Sequence, residues 1–446
     1  MTWLIDHLRA LEDRDAIVDR YGSFTYQQLY QQIEKYKRQL DDTMVDNQVV
    51  AILSDYNFYA VSLFLALLQK KSVIVPIVSS NSEETEKRLR VAHCHYVIRL
   101  DNSDISIEEK VSAELHPIVA ALTTSNHAGL VLFSSGSTGE PKAMIHNLDN
   151  LVNSYQGKKI KNLNMLVFLM FDHIGGLNTL LNTLSMGARV ILPTNRNPEY
   201  IGELIETYHI NVLPASPTFL NMMLMAKVHE KFDLSSLRMI TYGTEPMPES
   251  LLKKIIKTFP KTKLLQTFGT SETGIAQTSS RSSESLEMKF EDPNLEHRIV
   301  DGELWLKSKT QVMGYLNASM ESFTEDGWFR TGDIVEALEG GYLSIKGRAK
   351  EIINIGGEKV LPAEVESVVL ELDEVDDCMV YGAKNAITGQ MVALQIVLKE
   401  GIDPKYAKAL IRKHCKERLD IYKVPAKFEF IDKINSGERF KKKRIF

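Results

Sequence analysis

Leu132-Phe-Ser-Ser-Gly-Ser-Thr-Gly-Glu-Pro-Lys-Ala-Met144 follows an apolar run over 128–133, and together they predict a buried strand that ends in a loop rich in hydroxyl groups and glycine. The glycines at 136 and 139 let backbone N–H groups approach an anion, and Lys142 adds a cation. The spacing is not that of a P-loop. A cluster of this kind is more often a surface turn, but the strand before it and the cation after it favour a phosphate-binding loop.

Composition indicates a globular protein of more than one domain. The chain has 446 residues, more than one hydrophobic core usually supports. Its net charge of −5 gives no electrostatic footprint for nucleic acid. Cys94, Cys378 and Cys415 lie far apart and form neither a disulfide framework nor a metal site. No apolar run is long enough for a membrane span, so we expect a cytoplasmic protein with no nucleic-acid partner.

Apolar runs of strand length alternate with segments whose apolar residues recur every three or four positions. This alternation predicts parallel sheets covered by helices. From about residue 301 shorter strands and turns indicate a small β-rich subdomain, and a further α/β unit begins after Arg348, which places a domain boundary near Lys350. The predicted strands are 49–53, 72–76, 165–170, 188–193, 212–213, 238–242, 303–307, 326–330, 340–345, 377–381 and 392–398, and the predicted helices are 58–70, 177–186, 197–208, 217–229 and 404–419.

Three further clusters carry groups that a nucleotide requires. The octapeptide 267–274, Thr-Phe-Gly-Thr-Ser-Glu-Thr-Gly, offers an aromatic face for a base, hydroxyl donors for phosphate and a carboxylate for Mg²⁺. Asp333 follows a tight turn, where it either accepts ribose hydroxyls or closes an Asx turn. The segments 347–351 and 354–366 bring basic residues and paired glycines to the predicted boundary.

The clusters occur together and in the order seen in the adenylate-forming superfamily, which comprises acyl-CoA synthetases, adenylation domains of peptide synthetases and luciferases. Residues 134–142 resemble its phosphate loop, 268–272 its Tyr-Gly-x-Thr-Glu motif, 331–333 its Thr-Gly-Asp and 347–350 its hinge. The resemblance implies an α/β fold: a large N-terminal domain of two α/β subdomains plus a small β subdomain over 1–349, followed by a small mobile α+β C-terminal domain over 350–446. It also implies two half-reactions, in which ATP converts a carboxylic acid to acyl-AMP and a nucleophile then captures the acyl group.

The same resemblance implies roles for individual residues. Lys142 would stabilise the departing pyrophosphate, Glu272 would bind Mg²⁺, and Lys350 would lie at the hinge. Phe268 replaces the usual tyrosine and would stack on adenine; Ser271 replaces the usual threonine. The residues implied in binding ATP are Ser134, Ser135, Gly136, Ser137, Thr138, Gly139, Gly243, Thr244, Glu245, Phe268, Gly269, Thr270, Ser271, Asp333, Arg348 and Lys350.

One departure from the family pattern concerns catalysis. The family carries a Gly-Lys pair near its end whose lysine bridges the carboxylate and the α-phosphate, but this chain has Glu438 at that position. An anion there repels both groups. Three explanations are open. Arg439 or a lysine at 441 to 443, Lys441 first among them, substitutes for the missing cation; or adenylation runs slowly without it; or that half-reaction is lost. A fourth is that Glu438 does not correspond to the family lysine, and we favour substitution.

The acyl substrate is indicated by the segment 171–177. His173 resembles the histidine that gates the acyl tunnel of acyl-CoA synthetases, whereas Asp172 matches the aspartate with which amino-acid-activating domains bind an ammonium group. A buried carboxylate needs a partner, so we expect a small, polar or amino-bearing acid, although a locally hydrogen-bonded aspartate is the alternative. Tyr242 and Thr267 match further positions that line the acyl pocket.

The acceptor and the class of function stay open at this point. The glycine-rich segment 356–360 resembles the one that lines a pantetheine tunnel, which serves both coenzyme A and the phosphopantetheine arm of a carrier protein. We expect an AMP-forming acid–thiol ligase that uses ATP and Mg²⁺. The alternatives are a degenerate homologue that binds nucleotide or acyl-adenylate without catalysis, and a fatty or aryl acid–CoA ligase.

Overall fold

A computed structural model of the chain describes residues 3–79, 81–110, 115–135, 140–435 and 442. No helix in these ranges is long and apolar enough to cross a lipid bilayer. The helices are α1 (Trp3–Ala10), α2 (Tyr26–Thr43), α3 (Phe58–Gln69), α4 (Ser82–Val91), α5 (Pro117–Thr124), α6 (Leu148–Asn153), α7 (Ile174–Ser185), α8 (Pro198–Tyr208), α9 (Pro217–Met225), α10 (Val228–Lys231), α11 (Glu249–Thr258), α12 (Pro362–Val369) and α13 (Pro404–Arg418).

The strands form two mixed α/β sheets, antiparallel β structure and a C-terminal sheet. They are β1 (Asp15–Asp19), β2 (Gly22–Thr25), β3 (Val49–Leu53), β4 (Val73–Ile77), β5 (Tyr96–Asp101), β6 (Asp104–Glu109), β7 (Gly129–Ser135), β8 (Pro141–Asn147), β9 (Asn164–Leu166), β10 (Arg189–Ile191), β11 (Val212–Ala215), β12 (Met239–Tyr242), β13 (Lys263–Gln266), β14 (Phe268–Thr270), β15 (Gly274–Ala276), β16 (Thr278–Ser280), β17 (Glu287–Phe290), β18 (Leu295–Val300), β19 (Glu303–Ser308), β20 (Gly314–Tyr315), β21 (Phe329–Ala337), β22 (Leu343–Arg348), β23 (Ile353–Ile355), β24 (Glu358–Val360), β25 (Val375–Asn385), β26 (Gly389–Leu398) and β27 (Lys427–Phe430).

The two α/β sheets have parallel centres, as the alternation of strands and helices predicts. One sheet has the order β13-β12-β11-β9-β10-β1-β2, in which only the β1–β2 pair is antiparallel. The other has the order β20-β8-β7-β4-β3-β5-β6, with antiparallel pairs at both edges. Parallel strands need crossover connections, whereas antiparallel neighbours do not. The antiparallel edges are the part of these sheets that the alternation does not predict.

The remaining strands form the smaller units. The order β16-β17-β22-β21-β19-β18 gives an antiparallel sheet, which confirms the β-rich subdomain. The strands β23 to β27 form a separate sheet that packs with α12 and α13 around its own hydrophobic core. The large N-terminal and small C-terminal domains are therefore present, while the boundary at Lys350 and the mobility of the second domain stay predictions.

Several predicted elements end earlier or begin later than the sequence indicates, among them 340–345, which begins as a strand only at Leu343. The predicted helix 217–229 breaks after Met225, because Lys227 adopts a left-handed conformation with φ of 52° before α10 begins. The predicted strand 165–170 leaves the sheet after Leu166. Residues 326–328 form a turn that precedes β21. The early end of β9 matters most, since the chain that follows it leads to His173 and the first turn of α7.

Candidate functional site

A cavity of about 480 Å³ opens at the carboxyl ends of β11 and β12, where ligands commonly bind in open α/β sheets. Its walls come from both α/β sheets, from the β-rich subdomain and from the link to the C-terminal domain. The predicted site residues that line it are Ser134, Lys142, His173, Gly243, Thr244, Thr267, Phe268, Gly269, Thr270, Ser271, Glu272, Arg348 and Lys350. Motifs separated by more than two hundred residues of sequence thus meet in one place, although their individual roles stay predictions.

Lys142 and Glu272 line this cavity from a strand and from a turn. Lys142 is the second residue of β8 and pairs with Ser134 of β7, and its Nζ lies 6.0 Å from the centre of the Tyr315 ring. The Tyr315 hydroxyl donates a hydrogen bond to Glu272 Oε1 at 3.2 Å. Burial, followed by the charge of Glu272, raises the pKa of Tyr315, so the hydroxyl keeps its proton and orients the carboxylate. Tyr315 is a site residue that none of the sequence motifs indicates.

The Glu272 carboxylate has the chemistry expected of a Mg²⁺ ligand. Magnesium in nucleotide sites is usually held by one or two carboxylates together with the phosphates of the substrate and water. Glu272 lines the cavity beside Lys142 and the hydroxyl-bearing residues, so its surroundings fit this arrangement. The described ranges hold no group of three or more His, Cys, Asp or Glu side chains that could bind a metal without a nucleotide.

His146 holds the octapeptide loop in place from inside the protein. Its Nε2 lies 2.9 Å from the carbonyl oxygen of Ser271, and its Nδ1 lies 3.2 Å from that of Thr310. Complete burial lowers the pKa of His146 to about 4 against the opposing effect of the two carbonyls, so the ring is neutral at pH 7. Sequence reasoning missed this residue. The signal was present, because His146 lies four residues after Lys142 in β8 and therefore on the same face.

Asp333 and Arg348 pair across β21 and β22 at the edge of the cavity. Arg348 Nε donates to Asp333 Oδ1 at 3.2 Å, and the carboxylate is buried. Gly332 has a φ of 71°, a conformation that favours glycine, and lies where the pairing of β21 with β19 shifts register between Arg330 and Ile334. The tight turn predicted before Asp333 is therefore an irregularity within β21. Thr331 and Arg348 line the cavity, and the Asp333 carboxylate contacts it through its hydrogen bond with Arg348.

Gly243 is a position where only glycine fits. A Cβ atom at this residue would lie 2.6 Å from the carbonyl oxygen of Thr267 and 2.7 Å from its hydroxyl. The segments that follow β12 and β13 stay close together beyond the paired strands, and this places Thr267 in the wall of the cavity. The next residue, Thr244, has a φ of 75°, which strains a β-branched residue. Such strain is common where backbone lines a ligand site.

Tyr242 does not line the cavity, so its placement gives no support to the prediction that it is an acyl-pocket residue. Its side chain is buried in the core on the opposite face of the sheet, against α9 and α11. Successive side chains of a strand point to opposite faces, so Thr241 occupies the wall where Tyr242 was expected. The sequence shows the alternation but not which face of β12 is covered.

Glu245 also lies outside the cavity, contrary to the prediction that it binds the nucleotide. Its Oε1 accepts a hydrogen bond from the backbone N–H of Thr218 at 2.8 Å, in the first turn of α9. Its Oε2 lies 3.4 Å from the backbone nitrogen of Lys442. Burial raises the pKa of Glu245, although these hydrogen bonds oppose the shift. The carboxylate therefore satisfies a helix terminus instead of a ligand.

Asp172 has an internal cationic partner, which removes the reason to expect an amino-bearing acid. Arg88 of α4 donates from Nη1 to Asp172 Oδ2 at 2.7 Å, with the two side chains 11% and 2% exposed. Arg88 also pairs with Glu84 and lies over the Phe133 ring. Its charge neutralises the buried carboxylate. His173 lines the cavity, and its Nδ1 accepts the N–H of Gly175 to cap α7.

Several predicted residues fall outside the described ranges. These are Gly136, Ser137, Thr138, Gly139, Glu438, Arg439, Lys441 and the side chain of Ser135. Lys442, within the group of lysines considered as substitutes for the missing cation, is described. Its Nζ donates to Asp377 Oδ1 at 2.8 Å and to the Cys378 carbonyl at 2.5 Å, so it binds the C-terminal domain and does not line the cavity.

A second cavity of about 1200 Å³ adjoins the first. It extends over the face of the sheet that α8, α9 and α11 do not cover, towards the amino ends of β11 and β12. Both cavities are lined by the same six residues at their boundary, which are Asn178, Thr179, Pro214, Thr241, Thr267 and Ile275. We call these six residues the partition.

Comparison with known proteins gives two family matches. The model for the AMP-binding enzymes matches residues 6–316, and that for the AMP-binding enzyme C-terminal domain matches residues 364–441.

The curated relatives are acid–CoA ligases. The chain is 32% identical over 334 residues to acyl-CoA synthetase 7 of Caenorhabditis elegans, a match that covers 68% of this chain but only 61% of that protein. It is 25% identical over 471 residues to the 2-succinylbenzoate–CoA ligase of Bacillus licheniformis, covering 97% of this chain and 96% of that protein. The fold resembles the crystal structure of an anthranilate–CoA ligase in complex with anthranoyl-AMP, with a TM-score of 0.84, 19% identity and coverage of 98% and 95%.

Proposed function

Because the chain belongs to the family of AMP-binding enzymes, we propose that it activates a carboxylic acid with ATP as acyl-AMP, releases pyrophosphate, and transfers the acyl group to the thiol of coenzyme A. The resemblance drawn from the sequence motifs is confirmed by this membership, as is the interpretation of the chain as an AMP-forming ligase. The observation that carries the proposed reaction is the convergence of Lys142, Glu272 and Arg348 on one cavity at the carboxyl ends of parallel strands.

The first half-reaction is an in-line displacement at the α-phosphorus, so the protein must hold the reactants and stabilise charge. Lys142 neutralises charge that develops on the pyrophosphate as it leaves. Ser271 and Thr270 donate hydroxyl hydrogen bonds to phosphate, and Phe268 offers its ring to the adenine. Mg²⁺, when bound with the nucleotide, offsets the charge of the phosphates, and Glu272 is the carboxylate that would hold it.

Arg439 or Lys441 supplies the cation that Glu438 cannot provide. Lys442 is not the substitute, because Asp377 already binds its ammonium group. Burial alone would lower the pKa of Lys442, but Asp377 and Glu366 raise it above its usual value, so this lysine is charged and committed to the C-terminal domain.

The second half-reaction requires the C-terminal domain to move about Lys350. This lysine lies in the short 3-10 turn Ala349–Glu351 between β22 and β23, and it lines the cavity. Few residues need to change conformation for such a rotation. We favour coenzyme A over the phosphopantetheine arm of a carrier protein as the acceptor. The two relatives described above, an acyl-CoA synthetase and a 2-succinylbenzoate–CoA ligase, support this choice.

The acid has an apolar body in place of the amino group first expected. Two observations support this choice: Asp172 is paired with Arg88, and the second cavity offers apolar wall beyond the partition. The 2-succinylbenzoate relative gives further support for an aromatic acid.

The test is acid-dependent exchange of labelled pyrophosphate into ATP over a panel of amino, fatty and aryl acids. The native chain is compared with Lys142→Met, Arg439→Ala and Glu438→Lys. We expect exchange with an acid of the apolar class, a fall of about 10²- to 10³-fold in Lys142→Met because a charge-stabilising group is lost, and a smaller fall in Arg439→Ala.

No exchange in the native chain with any acid would contradict the proposal. Recovery of exchange in Glu438→Lys would then indicate the alternative, a homologue that binds nucleotide without catalysis. Exchange confined to amino-bearing acids would leave the reaction intact and overturn the proposed acid class.

A further inference from the structure

The second cavity has an apolar floor that helices cover only in part. On one face of the first sheet, α8, α9 and α11 pack into a continuous core. On the other face, the side chains of β9, β11 and β12 and the residue before β9 line the cavity, and they are Leu163, Met165, Val212 and Met239. Helix α7 borders this strip, since Thr183 contacts Met165 and Met186 packs in the same cluster. Parallel sheets are normally covered on both faces, so the apolar strip that lines the cavity fits the body of a ligand.

The direction of the strands fixes which end of this cavity faces the reaction. Pro214, Thr241 and Thr267 belong to the partition and lie at or just beyond the carboxyl ends of β11, β12 and β13. Val212 and Met239 lie two residues earlier, about 7 Å along the strands. Because the strands are parallel, their amino ends form the far end of the cavity.

Lysines line that far end. Lys161, Leu163 and Met165 follow one another at a spacing of two residues into β9, and all three line the cavity. Lys158 lies on the preceding loop, and Lys309 approaches from the β-rich subdomain. Within the described ranges none of the three ammonium groups forms a salt bridge, in a chain whose net charge is −5.

The two carboxylates in the same wall are engaged by other groups. Asp292 accepts the backbone N–H groups of Gln277 at 3.1 Å and Asn294 at 2.9 Å. Glu291 accepts the hydroxyl of Ser279 at 3.0 Å. These carboxylates thus serve loop structure, and cations outnumber anions among the charged residues that line the cavity.

Lys158 is the most informative of the three lysines because it is partly buried. Burial, and then the nearby charge of Lys161, lowers its pKa, and Asp292 opposes the shift only in part. Two like charges held together at the end of an apolar cavity are relieved by a bound anion.

We propose, on the basis of the proposed function, that the acid substrate carries a second anionic group at the end remote from the reacting carboxylate, and that Lys158 and Lys161 bind it. The apolar body of the acid covers the strip formed by Leu163, Met165, Val212 and Met239. A neutral acid would use the apolar strip but leave the two lysines without a partner.

The test compares monoacids with diacids of the same skeleton in the pyrophosphate exchange reaction. Suitable pairs are phenylpropanoate with its carboxyphenyl counterparts, and octanoate with octanedioate. The variants are Lys158→Met and the double substitution Lys158→Met with Lys161→Met. The matched control is Lys159→Met, which removes a neighbouring exposed cation that lines neither cavity.

We expect the native chain to favour a diacid over its monoacid partner by at least about tenfold in kcat/KM, as a hydrogen-bonded charge pair allows. Lys158→Met should reduce kcat/KM for the diacid about tenfold through KM and change the monoacid by less than about twofold. Lys159→Met should change neither.

Exchange with monoacids at least as good as with diacids would overturn this inference and leave the proposed function standing. So would an equal loss for both acids in Lys158→Met, or a loss in Lys159→Met as large as that in Lys158→Met. No exchange with any acid would overturn both. Thermal stabilisation of the native chain, but not of the double variant, by a diacid without ATP provides a second readout that does not depend on turnover.

Discussion

The two neighbouring cavities share a partition but differ in how their charged groups are held. In the first, Tyr315 orients Glu272 and Asp333 holds Arg348, so the chain itself fixes the polar groups. In the second, the lysines have no salt bridge among the described residues, and the floor is an apolar strip of sheet. Groups fixed in advance suit a ligand that is always the same, such as a nucleotide. Lysines without a salt-bridge partner in the protein suit the ligand that varies between enzymes of this kind, which is the acid.

Blocking the partition should separate the two cavities and have the largest effect. Thr241→Phe places a ring between them, because Thr241 lines both. We expect kcat/KM for acids with an extended body to fall about 100-fold, since the pocket no longer admits them, whereas acetate should change by less than about threefold. The measurement is pyrophosphate exchange over acids of increasing length.

The control for this variant is Thr241→Val, which keeps the shape of the side chain and should leave the order of the acids unchanged. A fall that is equal for acetate and for long acids would show that the substitution disturbs the first cavity and would contradict the division drawn between the two.

Much of the first cavity could be predicted from the sequence, because its residues lie on motifs whose local geometry determines their position. Lys142 is the second residue of β8, directly after Pro141, and Glu272 belongs to a short turn. The misplaced residues depend on contacts between distant segments. Asp172 is neutralised by Arg88, 84 residues away, and Glu245 reaches the first turn of α9 at Thr218. No pattern near either carboxylate indicates its partner.

The second cavity could not be predicted because its walls share no motif. Leu163, Met165 and Met239 have the apolar character of ordinary core residues, and only the folded structure shows that they line a cavity. Tyr242 illustrates the same limit. The period of two in β12 predicts that one of Thr241 and Tyr242 faces the cavity, but which one depends on where α9 and α11 pack.

Two tyrosines, one in each cavity, offer a sharper comparison with a smaller effect. Tyr315→Phe removes the hydroxyl that donates to Glu272, and Tyr155→Phe removes the one that donates to Asn178 at 2.7 Å. A single hydrogen bond of this kind contributes about 1 kcal/mol, or roughly fivefold. We expect Tyr315→Phe to lower kcat about fivefold for every acid and to raise the Mg²⁺ concentration needed for half-maximal activity.

Tyr155→Phe should instead affect acids with an extended body and spare acetate, because its hydroxyl supports the wall of the second cavity. Steady-state kinetics of both variants with acetate and with an aryl acid provide the measurement. If Tyr315→Phe discriminated between the two acids, the first cavity would not be the site common to all substrates.

The last comparison concerns stability instead of activity, and it rests on His146, which holds the octapeptide loop of the first cavity. Its pKa of about 4 in the folded chain lies below the value of about 6.5 expected when unfolded. The folded state therefore binds fewer protons between these values. The stability that His146 contributes is fully present above pH 6.5 and declines as the pH falls towards 4, by up to about 1.4 kcal/mol per pH unit.

His146→Asn keeps a donor for the Ser271 carbonyl but cannot titrate. We expect the difference in Tm between the native chain and this variant to narrow from pH 7 to pH 5, because only the native chain can take up a proton at this position. A constant difference would mean that the two carbonyls stabilise the protonated ring enough to cancel its burial, and the octapeptide loop would then be held by a charged histidine.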